Sequence, residues 1–514
     1  MSRRFTVNRA TAAYSAAFAG VLAVAFALRL PSLAEPRWYR DEGIFAAVAG
    51  DLRHGGLLYA DAWDNKPPLI FYTYAAIQAL FGNGMVALHL VTTIVVLLTL
   101  AAVMAVGVRL YGRGPAVLAG GVFAVVMCTP VIEGNLALTE TYMILPTTLA
   151  VLCVVYAQNQ QDRSRPWAIA AVGVFISIAA SYKQVAVFDG LAIAVYFCVT
   201  DPRRMRAIAL LSGGFAVPQV ALAAYFLAAG ALPDYWYAVV GSLPLYSTLG
   251  PDEGPLLRLA GYLPALLLTA WLVHRHAEGA RVDVRHLAPL WLGFAVAGAT
   301  SSALPFPHYL QQAAPAFALT VGGLPLLVPE GRQERVILGV AAVLAAVLAA
   351  SQFGEARHRQ QLSPSAYYRN YVSYQAGERG YQKYERFFDG GGESARDIAK
   401  AIREDGAGTT VYAWSELPWI YATGDLSNPT PYYTSFLGEL LPDAKPTVAR
   451  ELVAEPPAYI VVSDNAYAPF GELEAFVALH YVLIEAQNDW RLYRLLSLAG
   501  RLAPKGGAAR SDRG

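Results

Sequence analysis

Up to residue 351 the chain alternates long apolar runs with short polar connections, and after that its character changes. Apolar windows fall near 10–30, 86–108, 114–131, 141–157, 166–181, 185–199, 207–230, 256–273, 287–304, 308–328 and 335–351. A hydrocarbon core about 30 Å thick takes about 20 apolar residues of helix to cross. The pattern therefore predicts about 11 transmembrane helices, with the 166–181 and 185–199 pair short for a full crossing. Residues 68–82 are apolar and aromatic but shorter still, which suits an interfacial or re-entrant helix. No internal repeat or inverted-half pattern is visible.

Residues 352–392 form a Tyr- and Arg-rich linker ending in Gly390-Gly391-Gly392. Alternation and amphipathicity then predict a small α/β domain over 393–498. Its helices are expected at 394–405 and 473–479, and its strands at 409–414, 458–463, 481–485 and 490–495. The basic, Gly/Ala-rich tail 499–514 is expected to be disordered.

Charge orients the membrane part. One set of connections holds Arg3/Arg4/Arg9, Arg109/Arg113, Arg163/Arg165, Arg203/Arg204/Arg206, Arg275/Arg281/Arg285 and Arg332/Arg335. The alternate short connections hold only Lys183, beside Glu133, Glu140, Asp234, Asp252 and Glu253. The positive-inside rule places the N-terminus in the cytoplasm, with 38–68 and everything after 351 on the outer side. The first apolar run follows three arginines and lacks a small-x-small cleavage site, so it reads as a retained anchor.

Composition agrees. The chain is 56% hydrophobic and 15% charged, against about 25% charged in soluble domains. A net charge of +1 without a basic stripe gives no reason to expect a nucleic-acid partner. Cys128, Cys153 and Cys198 lie inside apolar runs and read as small core hydrophobes.

The densest polar insert is 38–68, straight after the first span, with Arg40, Asp41, Glu42, Asp51, Arg53, His54, Asp61, Asp64 and Lys66. Asp41 and Glu42 either favour the first turn of a helix or supply a general base for a sugar hydroxyl. Lys66, fixed by Pro67 and Pro68, either snorkels at an interface or meets a lipid phosphate and stabilises leaving-group charge. Lys183 is costly near lipid unless it faces a polar cavity or an anion, which makes it a second phosphate candidate. Glu140 is either a helix cap or a second acid. His308 and Tyr309 stand at another outer mouth, where a satisfied interfacial histidine is the plainer reading. Asp41, Glu42, Glu140 and His308 have the chemistry to hold a divalent ion, although nothing in their spacing demands one.

The run from Asp41-Glu42-Gly43 through Tyr59 and Asp64-Asn65-Lys66-Pro67-Pro68-Leu69 resembles the first outer loop of the GT-C glycosyltransferase superfamily. The likeness is to the protein O-mannosyltransferase and lipid A aminoarabinose transferase branch. Glu140, Lys183 and Phe306-Pro307-His308-Tyr309 follow in the order of that branch. The resemblance covers 1–350, and 393–498 looks like the small periplasmic domain of many bacterial members. It implies a multi-pass enzyme of the bacterial plasma membrane that transfers a sugar, with inversion, from a polyprenyl-phosphate donor. The acceptor would be a glycan, lipid or protein. Carried over by position, Asp41 is the base, with Glu42 beside it, and Glu140 is the second acid. Lys66 and Lys183 match the family's donor-phosphate lysines. Arg40 is a further candidate for the donor phosphate, and Asp64, Tyr59, His308 and Tyr309 are candidates for substrate contact. Some relatives bind a metal, but no full ligand set is matched here, so no cofactor is implied with certainty.

Three other readings compete. A lipid-linked-sugar flippase or transporter would keep its charges near the midplane, whereas these cluster at the outer edge. A sensor or scaffold would not need so many spans. Another GT-C branch, such as an oligosaccharyltransferase-like or arabinosyltransferase-like enzyme, remains open.

Overall fold

The computed structural model describes residues 9–158, 164–246, 248, 254–280, 282–302, 304–329, 331–353, 360–487 and 489–499. Arg3, Arg4, Arg163, Asp252, Glu253 and Arg281, and the tail from residue 500, lie outside the described residues. The chain forms two compact units. One is Met1–Pro36 with Asn65–Phe388, and the other is Arg37–Asp64 with Asp389–Gly514.

The first unit is helical. In chain order the helices are α1 (Arg9–Arg29), α2 (Arg40–Arg53, part of the second unit), α3 (Leu69–Phe81), α4 (Met85–Tyr111), α5 (Arg113–Met127), α6 (Thr139–Gln158), α7 (Arg165–Ala180), α8 (Val187–Thr200) and α9 (Arg204–Ala228). Further long helices are Leu263–Ala277, Leu287–Thr300, Ala314–Leu327 and Arg332–Ser351. Among the described residues, five helices are long and apolar enough to cross a membrane: Arg9–Ala34, Met85–Tyr111, Thr139–Gln158, Arg204–Ala228 and Arg332–Ser351. Four shorter apolar helices are Leu69–Phe81, Arg113–Met127, Arg165–Ala180 and Gln184–Thr200.

The structure thus carries five to nine candidate spans where the apolar windows predict about 11. The difference has local causes. The 256–273 window breaks into Gly254–Gly261 and Leu263–Ala277, with Pro264 at the start of the second helix, where its missing N–H costs nothing. The 308–328 window opens with a 3-10 stretch, Pro307–Ala313, before the helix Ala314–Leu327. The 287–304 window yields only the 14-residue helix Leu287–Thr300.

Small residues let these helices touch. A Cβ on Gly173 of α7 would strike the Leu211 carbonyl of α9, and one on Gly214 would strike the Ala170 carbonyl. Close backbone approach of this kind is how membrane helices gain packing energy without a hydrophobic drive. On Arg332–Ser351, Val336, Val340, Val343 and Val347 are exposed at helical spacing. In lipid that stripe is the ordinary outer face of a span.

Arg29 closes α1 from inside the unit. It donates to Thr93 Oγ1 at 2.9 Å and to the carbonyls of Gly134 and Asn135. Asn135 donates to Glu35 at 2.7 Å, and the Tyr367 hydroxyl also donates to Glu35. The Tyr-rich stretch packs here as two helices, Pro364–Gln375 and Tyr381–Glu385. Tyr367 and Tyr384 are buried, and Tyr374 stacks on Tyr384 with centroids 4.4 Å apart.

The second unit holds β1 (Val411–Trp414), β2 (Tyr459–Ser463), β3 (Tyr481–Ala486) and β4 (Trp490–Leu495), in the order β1-β2-β4-β3. β1 and β2 run parallel, while β4 is antiparallel to both β2 and β3. Tyr412, Trp414, Val448, Ile460, Phe470 and Leu473 build its core. The expected strands all form. The helices Gly391–Asp405 and Gly471–His480 match expectation, and Trp419–Gly424, Phe436–Leu440 and Ala444–Ala454 are additional.

Residues 37–64 are built into this unit. Trp419 Nε1 donates to the Tyr39 carbonyl at 2.9 Å, and Trp63 N donates to the Pro431 carbonyl at 2.8 Å. Gly43 lies so close to Pro418 and Trp419 that an added Cβ would stand 3.0 Å from each. Asp51 accepts the Tyr433 hydroxyl. Burial pushes the Asp51 carboxyl above its usual value, against the effect of that hydrogen bond.

Candidate active site

In the first unit, three chain segments bring charge together within an apolar surround. The first turn of α6 carries Glu140, whose Oε2 accepts the Thr139 hydroxyl at 2.6 Å. The turn after α7 carries Lys183, just before the 3-10 turn Gln184–Ala186. The stretch Pro307–Ala313 carries His308 and Tyr309.

Lys183 pairs with Glu140, and its Nζ also stands 3.8 Å from the centroid of the Tyr309 ring. An ammonium over an aromatic face is held by the ring quadrupole. His308 Nε2 lies 3.8 Å from Glu140, and its Nδ1 is 2.6 Å from Glu133 Oε2. Glu133, Glu140, Lys183, His308 and Tyr309 are all buried. Charges taken out of water survive only when paired and hydrogen-bonded, and these residues pair with one another.

Two glutamines fix the stretch that carries His308. Gln311 donates to the carbonyls of Ile132 and Glu133 at 3.0 Å each, and accepts the Thr141 hydroxyl at 2.7 Å. Gln312 donates to the Val185 carbonyl at 3.0 Å and to Asp189 at 2.9 Å. Asp189 also accepts the Trp291 indole N–H at 2.6 Å.

Lys66 sits in a turn tied to the Lys183 turn. Leu69 N donates to the Ser181 carbonyl at 3.0 Å, and Gln184 Nε2 donates to the Asn65 carbonyl at 3.1 Å. Those two bonds bracket Lys66-Pro67-Pro68. The Lys66 ammonium donates to Asn65 Oδ1 at 2.8 Å and is only half-buried.

The remaining sequence candidates belong to the second unit. Asp41 and Glu42 lie in the first turn of α2, where helix polarity favours acids. Glu42 is fully buried, while the Asp41 side chain is 24% exposed. Arg40 pairs with Glu416 at 2.9 Å and stacks over Phe436. Glu416 is further held by the Ser435 hydroxyl at 2.6 Å. Tyr59 adopts a left-handed backbone, φ 73°, in a turn closed by Tyr59 N to the Ala62 carbonyl at 2.7 Å. Tyr59 and Asp64 are both buried. Among the described residues, no group of three or more His, Cys, Asp or Glu side chains is arranged to hold a metal ion.

Residues 65–236, which span the Lys66 turn, Glu140 and Lys183, match the family model described as dolichyl-phosphate-mannose-protein mannosyltransferase. The structure is similar to ArnT from Cupriavidus metallidurans bound to undecaprenyl phosphate, at 18% identity and a TM-score of 0.57. That likeness covers 93% of this chain and 98% of ArnT. The chain has the GT-C fold. Weaker structural similarities include the oligosaccharyltransferase AglB from Archaeoglobus fulgidus in complex with an inhibitory peptide and a dolichol-phosphate. It shows 10% identity and a TM-score of 0.43, over 88% of this chain and 69% of that one. The mycobacterial arabinofuranosyltransferase AftD shows 14% identity and a TM-score of 0.38, over 96% of this chain and 42% of that one. No curated protein matches by sequence.

Within this GT-C membrane unit the structure brings Glu140, Lys183, His308 and Tyr309 together. Sequence reasoning passed over Glu133 as a site residue, although it is an acid in an apolar connection. It also passed over Asp189, a single carboxylate inside the apolar 185–199 window. An isolated acid in such a run was the available signal.

Proposed function

We propose that the protein is a membrane glycosyltransferase that moves a sugar from a polyprenyl-phosphate donor to an acceptor hydroxyl. The observation that carries this reading is the buried Lys183–Glu140–His308–Glu133 cluster beside the Lys66 turn, in a chain with the GT-C fold. Two lysines on tied turns offer the positive charge that a leaving lipid phosphate needs. Glu140 pairs with Lys183 and orients it, and Lys66 is the more accessible of the two. With the departing charge already neutralised, the leaving group needs no general acid.

Asp41 is the proposed base, for its place at the head of α2 after the first span and for its exposure beside a buried Glu42. In a single displacement it would take the acceptor proton as the hydroxyl attacks the anomeric carbon, with inversion. The acceptor would be a glycan, lipid or protein on the outer face of a bacterial plasma membrane. The proposed topology has about 11 spans, a cytoplasmic N-terminus and an extracytoplasmic second unit.

The test is sugar transfer by the purified chain in detergent, wild type beside Asp41→Asn. Radiolabelled polyprenyl-phosphate sugars are the donors, and a cell-envelope extract supplies the acceptor. Transfer with one donor, lost in the variant, is the expected result. Donor movement across liposome membranes without any transfer would overturn the reading in favour of a flippase.

A further inference from the structure

The helices Leu263–Ala277, Leu287–Thr300, Ala314–Leu327 and Arg332–Ser351 enclose a cavity of about 280 Å³. Its walls are apolar, with Leu268, Trp271, Leu292, Leu324 and Leu338 among them, and its one charged lining residue is Arg335. None of the residues of the ion cluster lines the cavity. The helix Ala314–Leu327 starts directly after the stretch bearing His308, and its far end lines the cavity. At 1.5 Å per residue those ends are about 20 Å apart.

The cavity runs from Arg335, near the start of Arg332–Ser351, as far along that helix as Ala345. Glu334 is taken by Arg275, at 2.8 and 2.9 Å. Arg335 is exposed, and among the described residues it pairs with no carboxylate. Leu324 and Val328, on the cavity wall, are also exposed, so the opening lies on an apolar outer surface. An apolar slot of this volume is too small for a whole lipid but suits one chain. A cation at its rim suits an anionic headgroup in the same leaflet.

We infer that this cavity binds an acyl chain of an anionic glycerophospholipid, with the headgroup phosphate against Arg335. The occupant is a membrane phospholipid and not the sugar donor, because Lys183, proposed for the donor phosphate, rests on Tyr309 before the start of Ala314–Leu327 and neither it nor Lys66 lines the cavity. The site is independent of sugar transfer, and its test does not read that activity.

The experiment is native mass spectrometry of the full chain in detergent, titrated with phosphatidylglycerol and with phosphatidylcholine carrying the same acyl chains. One phosphatidylglycerol is expected to bind several-fold more tightly than phosphatidylcholine. Arg335→Gln should reduce phosphatidylglycerol to the phosphatidylcholine level. Gly339 lines the cavity, and a Cβ there meets nothing within 4 Å, so Gly339→Phe can fill the space without a backbone clash. That variant should lose both lipids. Equal binding of the two lipids by wild type would overturn the proposal. So would phosphatidylglycerol retention unchanged in Arg335→Gln or in Gly339→Phe. Arg335 is exposed, so its variant reads the headgroup contact even if Gly339→Phe misfolds.

Discussion

Lys183 and Glu140, 43 residues apart in sequence, meet as a buried ion pair whose cation also rests on the Tyr309 ring. Removing one partner of such a pair strands the other charge, at a cost of roughly 3–5 kcal/mol. Lys183→Met and Glu140→Gln should each lower the unfolding temperature in detergent. The double variant, which strands neither charge, should be more stable than either single one. Additive losses would mean that the two residues do not depend on each other. All three variants should lose sugar transfer, since the proposed phosphate site needs Lys183 present and held in place by Glu140.

Asp41 and Glu42 are neighbours with opposite environments, one partly exposed and one fully buried. Asp41→Asn should abolish transfer while leaving the melting temperature within a degree or two, roughly the effect of a surface change. Glu42→Ala should instead destabilise the second unit, by roughly 1–3 kcal/mol for a lost buried polar partner. Parallel activity and thermal-shift measurements separate the two roles. Wild-type turnover by Asp41→Asn would remove it as the base.

Most of the architecture was legible because its signals are local. Apolar run length located the helices, and short runs of β-branched and aromatic residues located all four strands, β4 to the residue. The breaks at Pro264 and over Pro307–Ala313 were not, since hydropathy averages over a turn of helix and does not register a change of hydrogen-bond pattern. Arg40 shows a second limit. Its partners Glu416 and Phe436 lie far along the chain, and no local pattern announces them. The acids and lysines of the ion cluster were visible one by one. Which of them pair was not, because pairing across 43 or 175 residues is decided by helix packing.

Asp51 gives a pH prediction for the second unit. Burial, the largest influence, raises its carboxyl above the ordinary 3.8. Between the ordinary and the raised value the folded state binds more protons than the unfolded one, so stability falls as pH rises through that interval. Above it, the cost of burying the charge is fully present. Asp51→Asn keeps an oxygen that accepts the Tyr433 hydroxyl and removes the charge. The variant should hold the β1–β4 sheet at least as firmly as wild type at pH 7, and lose less stability than wild type between about pH 4 and pH 7. Hydrogen exchange of the sheet amides in the full chain measures both. A variant weaker than wild type at pH 7 would mean that the charge itself strengthens the Tyr433 bond by more than its burial costs.

Gln312 connects the ion cluster to Asp189, and its effect can be told apart from that of a catalytic group. Its amide donates to both Asp189 and the Val185 carbonyl, while Asp189 takes the Trp291 indole on its other oxygen. These bonds hold one end of the stretch that presents His308 and Tyr309. Gln312→Leu leaves a buried acceptor short of a donor, at roughly 1–3 kcal/mol, and frees the stretch to shift. A 1 Å misplacement can cost about 100-fold in rate, so turnover should fall steeply while the donor KM moves little, because Lys66 and Lys183 remain. Asp189→Asn keeps one acceptor oxygen for two donors, Trp291 and Gln312, so it should lower stability and turnover together. If Asp189→Asn instead loses turnover with its melting temperature intact, the carboxylate charge has a role of its own, and Gln312 is positioning that charge as well as His308.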